Sequence, residues 1–116
     1  MDYKQLSAKY DCNYAHMLND LTVEERKLQL IHAALGLAGE TGEVVAIVKK
    51  HVMFGKKLDI IHLTEECGDV LYYFGILLNS CGMGHDEVVN FLSNKLQQRF
   101  PNGVSRQDAI ARKDKL

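Results

Sequence analysis

The sequence predicts an all-α fold: a four- to five-helix bundle with a central antiparallel helical hairpin, expected to assemble as a homo-oligomer. Three observations support this prediction. The 116 residues include a single proline, Pro101, so almost the whole chain is free to form long helices. Apolar residues recur at helical spacing, and no segment shows the sustained period-2 alternation of a strand. Capping residues and glycines divide the chain into segments of helical length.

The first two helices occupy the N-terminal half of the chain. We expect a short helix over residues 3–19. A second helix begins after Thr22, because Thr22 and Glu25 have the spacing of a capping box. It runs to Phe54, where Gly55 provides a C-terminal stop. Its apolar side chains cover most of its circumference, which predicts burial either at the centre of the bundle or at a subunit interface.

The remaining helices are shorter. The third is expected to begin at residue 58 or 59 and to end before Gly82. The fourth covers residues 85–100 and ends at Pro101, which cannot continue a helix. Ser105 is the expected cap of a short fifth helix. Such a pattern of helices with short connections is typical of an all-α bundle.

Composition limits the function classes. The length and the 47% apolar content suit one domain over residues 1–116 with a real core. A formal net charge of −1 gives no positive electrostatic field that would attract nucleic acid. The N-terminus lacks the apolar segment of a signal peptide, and the longest uncharged run is too short for a membrane span. Three widely spaced cysteines indicate reduced thiols. We therefore expect a cytoplasmic protein with no nucleic-acid or membrane partner.

Two pairs of acidic residues stand in otherwise apolar helical segments. Glu40 and Glu43 share one face of the second helix, and Glu66 and Asp69 share one face of the third. In a hairpin folded about Gly55 the two pairs lie at the same height, because the helical rise is equal on both arms. Each pair alone would more often be two surface acids, but the match in height favours a joint site.

Four carboxylates that lie together need a proton or a cation between them. Two unit charges about 4 Å apart repel by about 4 kcal/mol at an effective dielectric constant of 20. All the ligand atoms would be oxygens, so Mg²⁺ or Mn²⁺ fits best. Mg²⁺ held by a few carboxylates is a common arrangement for binding a polyphosphate substrate. The pattern therefore predicts a metal site for phosphate chemistry.

At these residues the sequence resembles the MazG-like, all-α nucleoside triphosphate pyrophosphohydrolases. Their motif EExxE, a spacer, and ExxD corresponds here to "GETGE" at residues 39–43, a 22-residue spacer, and "ECGD" at residues 66–69. The likeness extends over about residues 28–106, includes "KLQQRFPNG", and is to the compact single-domain branch. Two positions depart from the pattern. Gly39 replaces the first glutamate and leaves the number of metal ions open, and Leu92 stands where relatives have asparagine.

The resemblance implies hydrolysis of the α–β phosphoanhydride of nucleoside triphosphates, giving monophosphate and pyrophosphate, for cleaning the nucleotide pool. It implies a homodimer or homotetramer and Mg²⁺ as cofactor, with Mn²⁺ as an alternative. The carboxylates expected to hold the metal and carry catalysis are Glu40, Glu43, Glu66 and Asp69. The side chains expected to bind substrate are Lys95, Arg99, Lys50 and Asn79. For Lys50, a solvated position at a helix end is an equal alternative.

Three other functions compete with this one: a sensor, a related pyrophosphohydrolase and a di-iron protein. A non-catalytic nucleotide sensor or helical interaction module is favoured by the missing acid at Gly39. A phosphoribosyl-ATP pyrophosphohydrolase would share the fold and motif, but the "FPNG" ending is closer to the general nucleotide branch. A ferritin-like di-iron bundle needs Glu-x-x-His pairs, and the sequence has only the reversed order at His62 and Glu65. His32 is either a partner for Glu40 or Glu43 or a core histidine.

Overall fold

The computed structural model describes residues 1–11 and 22–111 of the chain. Within these ranges it contains helices and no strand, so the predicted all-α class is confirmed. The helices in order are α1 (Tyr3–Lys9), α2 (Val23–Phe54), α3 (Ile60–Cys81), α4 (His85–Arg99) and α5 (Arg106–Ile110).

The chain divides into two compact units. Met1–Gly82 contains α1, α2 and α3, and Met83–Leu116 contains α4 and α5. In the first unit α2 and α3 pack along each other, and α1 packs on α3. The expectation of one domain over residues 1–116 stays a prediction.

Both ends of α2 follow the predicted capping chemistry. The Thr22 hydroxyl oxygen accepts a hydrogen bond from the backbone N–H of Glu25 at 3.1 Å, and a Glu25 carboxylate oxygen accepts from the backbone N–H of Thr22 at 3.4 Å. Two of the N–H groups that a helix leaves unpaired at its start are thereby satisfied. At the other end Gly55 has φ 65°, a left-handed conformation that glycine adopts without a Cβ penalty.

The α2–α3 hairpin is antiparallel. Gly36 of α2 lies against Tyr73 of α3, whereas Glu40, one turn later in α2, lies near Asp69, one turn earlier in α3. The connection spans residues 55–59, and the Asp59 carboxylate caps α3 by accepting the backbone N–H of His62 at 3.0 Å. The hairpin that the sequence predicts about Gly55 is therefore confirmed.

The N-terminal segment is held against α3 by polar contacts, of which those of Asn79 are buried. The Tyr3 hydroxyl donates to the carbonyl of Leu71. The Asn79 amide donates to the Ser7 carbonyl at 3.4 Å and to an Asp11 carboxylate oxygen at 3.2 Å. The helix ends at Lys9, earlier than the predicted end at residue 19, and residues 12–19 lie outside the described residues.

The second unit begins with α4, which ends at Arg99, with Phe100 as its C-cap directly before Pro101, within one residue of the predicted end. The Ser105 hydroxyl oxygen accepts the backbone N–H of Asp108 at 3.1 Å, and the Asp108 side chain accepts from Ser105 in return at 3.4 Å. The expected cap of α5 is therefore present, although the helix itself is only a short segment.

The apolar surface of α2 is largely uncovered. Only Ala33 and Ile47 of this helix are buried, while Leu28, Leu35 and Val45 are each more than half exposed. Burial of α2 at the centre of this chain's own bundle is thus wrong, because α3 covers one side of a helix that is apolar on several. The alternative, burial at a subunit interface, stays a prediction.

By length and composition, α2 is also apolar enough to cross a membrane. This is weak evidence, because the core helix of a soluble protein and a signal sequence meet the same criterion. The middle of α2 carries Glu40 and Glu43, and ionised carboxylates are costly in the hydrocarbon core of a bilayer. The expectation of no membrane partner stays a prediction.

Candidate metal centre

Three carboxylates of the hairpin come together. Glu40, Glu66 and Asp69 each offer an oxygen atom, and these atoms all lie within 4.8 Å of one another. Glu40 and Glu66 are half-buried, and Asp69 is exposed. We call these three residues the carboxylate trio. Acids from two different helices meet at one level, as the count about Gly55 predicts.

The close approach of α2 and α3 at the trio depends on a contact one helical turn away from it. The ring of Tyr73, one turn beyond Asp69, packs directly on Gly36, one turn before Glu40. A Cβ atom at Gly36 would lie 2.3 Å from ring carbons of Tyr73, which is far inside van der Waals contact. The bare backbone at Gly36 therefore allows the hairpin to close tightly beside the trio.

The environment of Glu40 favours its protonated form. Its pKa is raised, chiefly because its carboxyl group hydrogen-bonds to that of Glu66. Partial loss of solvent and the negative charges of Glu66, Asp69 and Glu43 act in the same direction. A proton shared between Glu40 and Glu66 would relieve part of the repulsion within the trio.

Glu66 has two unequal oxygens. Oε1 lies 3.2 Å from Nε2 of His62, one turn earlier on α3. Oε2 is buried, and no backbone N–H, hydroxyl or amide in residues 1–11 and 22–111 donates to it. A buried acceptor without a donor costs about 1–3 kcal/mol. A proton on Glu40 or a cation would satisfy this oxygen.

The trio fits a hard divalent cation. All its ligand atoms are carboxylate oxygens, which suit Mg²⁺ or Mn²⁺ better than the softer transition metals. Asp69 is exposed, so the site is open to solvent on one side. Mg²⁺ in proteins usually keeps open positions for water and for substrate phosphates. The donor set and its exposure are both compatible with such an ion.

The fourth predicted ligand, Glu43, lies outside the trio. It is exposed on α2, one turn beyond Glu40, and it acts on Glu40 through its negative charge. A Cβ atom at Gly39 would meet no neighbouring atom within 4 Å, so the backbone leaves room for the glutamate that the motif carries there. Its absence is therefore a feature of this sequence and is not imposed by packing within the described chain.

The predicted substrate-binding residues are spread over both units. Lys50 is exposed near the end of α2. Asn79 is buried, and its amide holds Ser7 and Asp11 of the N-terminal segment, so a structural role is visible where a nucleotide contact was expected. Lys95 and Arg99 lie one turn apart on α4, and both are partly exposed. Their roles in substrate binding stay predictions.

His62 is the site residue that sequence reasoning missed. The signal was present, because His62 and Glu66 are spaced i, i+4 on one helix face. His32, the histidine considered instead, is exposed, and its ring meets the Tyr73 ring edge-on at a centroid distance of 6.0 Å. The histidine beside the acids is therefore on α3.

Comparison with known proteins supports one family. The family model of the MazG nucleotide pyrophosphohydrolase domain matches residues 29–104, which include all four predicted acids together with α3, α4 and most of α2. No curated protein and no solved structure matches the chain significantly.

Proposed function

The chain belongs to the MazG nucleotide pyrophosphohydrolase family, and from this premise we propose that it hydrolyses nucleoside triphosphates at the α–β phosphoanhydride bond. The products would be a nucleoside monophosphate and pyrophosphate, and the reaction would need Mg²⁺, with Mn²⁺ as a substitute. The observation that carries the proposal is the carboxylate trio with its unsatisfied Glu66 oxygen. Removal of unwanted triphosphates from the nucleotide pool would be the cellular role.

The trio would hold the cation, with Glu43 one turn away adding negative charge. When bound, Mg²⁺ offsets the charge of substrate phosphates and lowers the pKa of a coordinated water. The raised pKa of Glu40 favours its protonated form in the metal-free protein, whereas a bound cation would favour its ionised form. Asp69, the exposed member, lies nearest to the solvent from which substrate and water must come.

Positive side chains would complete the charge balance with the triphosphate. Lys95 and Arg99 are two cations one turn apart on the same face of α4, and Lys50 is an exposed cation two turns beyond Glu43. For Asn79 we retain a nucleotide contact only as an alternative to its observed role in holding the N-terminal segment.

A homodimer or homotetramer would cover the apolar surface of α2. Several large apolar side chains of this helix are more than half exposed in the single chain, a patch that a soluble monomer rarely keeps. A second copy could bury it by helix packing without a membrane. The free thiols of Cys67 and Cys81 support a reducing, cytoplasmic location, and the net charge of −1 gives no support to a nucleic-acid partner.

The decisive experiment is a product assay with a panel of NTPs and dNTPs and Mg²⁺. We expect equal amounts of monophosphate and pyrophosphate, and we expect Glu66→Gln to abolish turnover while the helical circular dichroism spectrum is unchanged. Glu65→Gln is the matched control, because it removes one charge at the adjacent position and leaves the trio intact. Release of orthophosphate without pyrophosphate would overturn the proposed bond cleavage.

A non-catalytic nucleotide sensor on the same fold is the second candidate. The observation that favours it is Gly39, where the family motif carries another acid. Saturable nucleotide binding by calorimetry, with no turnover for any member of the panel, would support the sensor over the enzyme. Including phosphoribosyl-ATP in the panel separates the general nucleotide branch from that specialised one.

A further inference from the structure

We propose that His62 is a positioning residue, which fixes the Glu66 carboxylate in the orientation needed to bind the cation. This inference rests on the proposed function, since it concerns the same metal site. It adds a residue that lies outside both acidic motifs and that the family pattern of acids does not contain.

The geometry of the pair supports a donated hydrogen bond. Nε2 of His62 lies 3.2 Å from Oε1 of Glu66, and the two residues are one helical turn apart on the same face of α3. An ionised carboxylate can only accept, so Nε2 must carry the hydrogen. His62 therefore donates to the trio through Glu66.

This bond makes the two oxygens of Glu66 different. With Oε1 occupied by His62, the carboxylate cannot rotate freely about its last bond. Oε2 is then the oxygen that remains buried and without a donor in the described part of the chain. A ligand oxygen that is already aimed loses less freedom when the cation binds. Partners of this kind beyond the ligands themselves commonly contribute 10–100-fold to metal affinity.

His62 is itself held in place by the start of α3. Its backbone N–H donates to the Asp59 carboxylate at 3.0 Å, so the residue lies in a capped first turn. Its side chain is 47% exposed, whereas that of Glu66 is 14% exposed. The imidazole therefore contributes little to packing, and its replacement tests the hydrogen bond with a small risk of unfolding.

The test measures Mn²⁺ binding directly, without substrate, from the electron paramagnetic resonance signal of free Mn²⁺ at one fixed pH. We compare the wild type with His62→Leu and His62→Gln. The amide nitrogen of glutamine is as many bonds from Cα as Nε2 of histidine, so it can donate at the same place without carrying a charge. We expect His62→Leu to weaken Mn²⁺ binding by about tenfold and His62→Gln to restore most of the affinity.

The outcomes separate the two proposals. Equal affinity of His62→Leu and the wild type, or an equal loss in both variants, would overturn the positioning role. Circular dichroism checks folding, and His62→Ala replaces the leucine variant if that variant unfolds. If the folded wild type does not bind Mn²⁺, both proposals fail. If Mn²⁺ binds in the expected order but no triphosphate is cleaved, the positioning role stands and the proposed activity fails.

Discussion

The ring of Tyr73 packs on the backbone of Gly36, so closely that a Cβ atom at Gly36 would lie 2.3 Å from the ring. This contact lies one turn from Glu40 on α2 and one turn from Asp69 on α3. The contact between Gly36 and Tyr73 therefore sets the distance between α2 and α3 next to the carboxylate trio.

Gly36→Ala should destabilise the protein although alanine is the better helix former. The new methyl group would force the Tyr73 ring or α3 to move, and overpacking of this kind costs about 1–3 kcal/mol. The gain in helix propensity, about 1 kcal/mol, offsets only part of this. We expect a net loss in the free energy of unfolding measured with urea, together with weaker Mn²⁺ binding.

Gly42→Ala is the control for this effect. It lies in the same helix, and a Cβ atom there meets nothing within 4 Å. It should therefore stabilise the protein by up to about 1 kcal/mol. Equal stability of the two variants would mean that the Tyr73 contact does not limit the approach of the helices.

Gly39→Glu restores the acid that the family motif carries. The backbone leaves room for it, because no atom lies within 4 Å of the added Cβ. We expect tighter binding of Mn²⁺, or a second bound ion, measured by calorimetry with the isosteric Gly39→Gln as control. Gly39→Glu and Gly39→Gln both replace a glycine by a better helix former, so the two variants differ only in the charge of the side chain. Identical metal binding would show that position 39 does not reach the site.

The raised pKa of Glu40 predicts a pH dependence of the metal-free protein. Since the folded state binds this proton more tightly than the unfolded state, the contribution of Glu40 favours folding at low pH. It is lost as the pH rises above the ordinary glutamate pKa and through the raised one. In EDTA, the melting temperature of the wild type should therefore fall over this range relative to that of Glu40→Gln.

Divalent cations should raise the melting temperature of the wild type relative to that of Glu40→Gln. At neutral pH Mg²⁺ should raise the melting temperature of the wild type, because it binds the folded state, and should raise that of Glu40→Gln much less. Parallel melting curves for the two proteins, with and without Mg²⁺, would argue against a role of Glu40 in either proton or cation binding.

Asn79→Ala should loosen the N-terminal segment. It removes the buried donor to the Ser7 carbonyl and to the Asp11 carboxylate, and leaving such groups unsatisfied costs about 1–3 kcal/mol. We expect a lower free energy of unfolding and faster hydrogen exchange in α1. Asn90→Ala, at an exposed position of α4, is the control. Unchanged stability with a raised KM would instead favour the nucleotide contact.

The exposed face of α2 predicts self-association. Leu35→Lys, at a side chain that is 66% exposed in the single chain, should convert the expected dimer or tetramer to smaller species in light scattering. Ile110→Lys is the control, since Ile110 is also exposed but lies on α5. A monomeric wild type would contradict self-association through the apolar surface of α2.

The helix ends were predictable because capping is local chemistry. Thr22, Gly55 and Ser105 act within a few residues of themselves, and the structure places each one at the predicted terminus. The α1 helix was overestimated, because its end at Lys9 has no such local stop signal. The sequence left open whether this chain or a second copy covers α2, because an apolar pattern shows that a surface must be covered but does not show which chain covers it.

The site shows the same division. Spacing alone predicted that the two acidic pairs lie at the same height, because two helices joined by a short turn bring residues equally distant from it to one level, and Glu40, Glu66 and Asp69 do meet there. The tertiary structure decided what depends on how the helices rotate against each other. Because of that rotation Glu43 lies outside the trio, and Asn79 contacts the N-terminal segment. One oxygen of Glu66 is buried, and the other lies next to His62. A count of residues fixes positions along a helix axis, whereas only packing, as between Gly36 and Tyr73, fixes the angle about it.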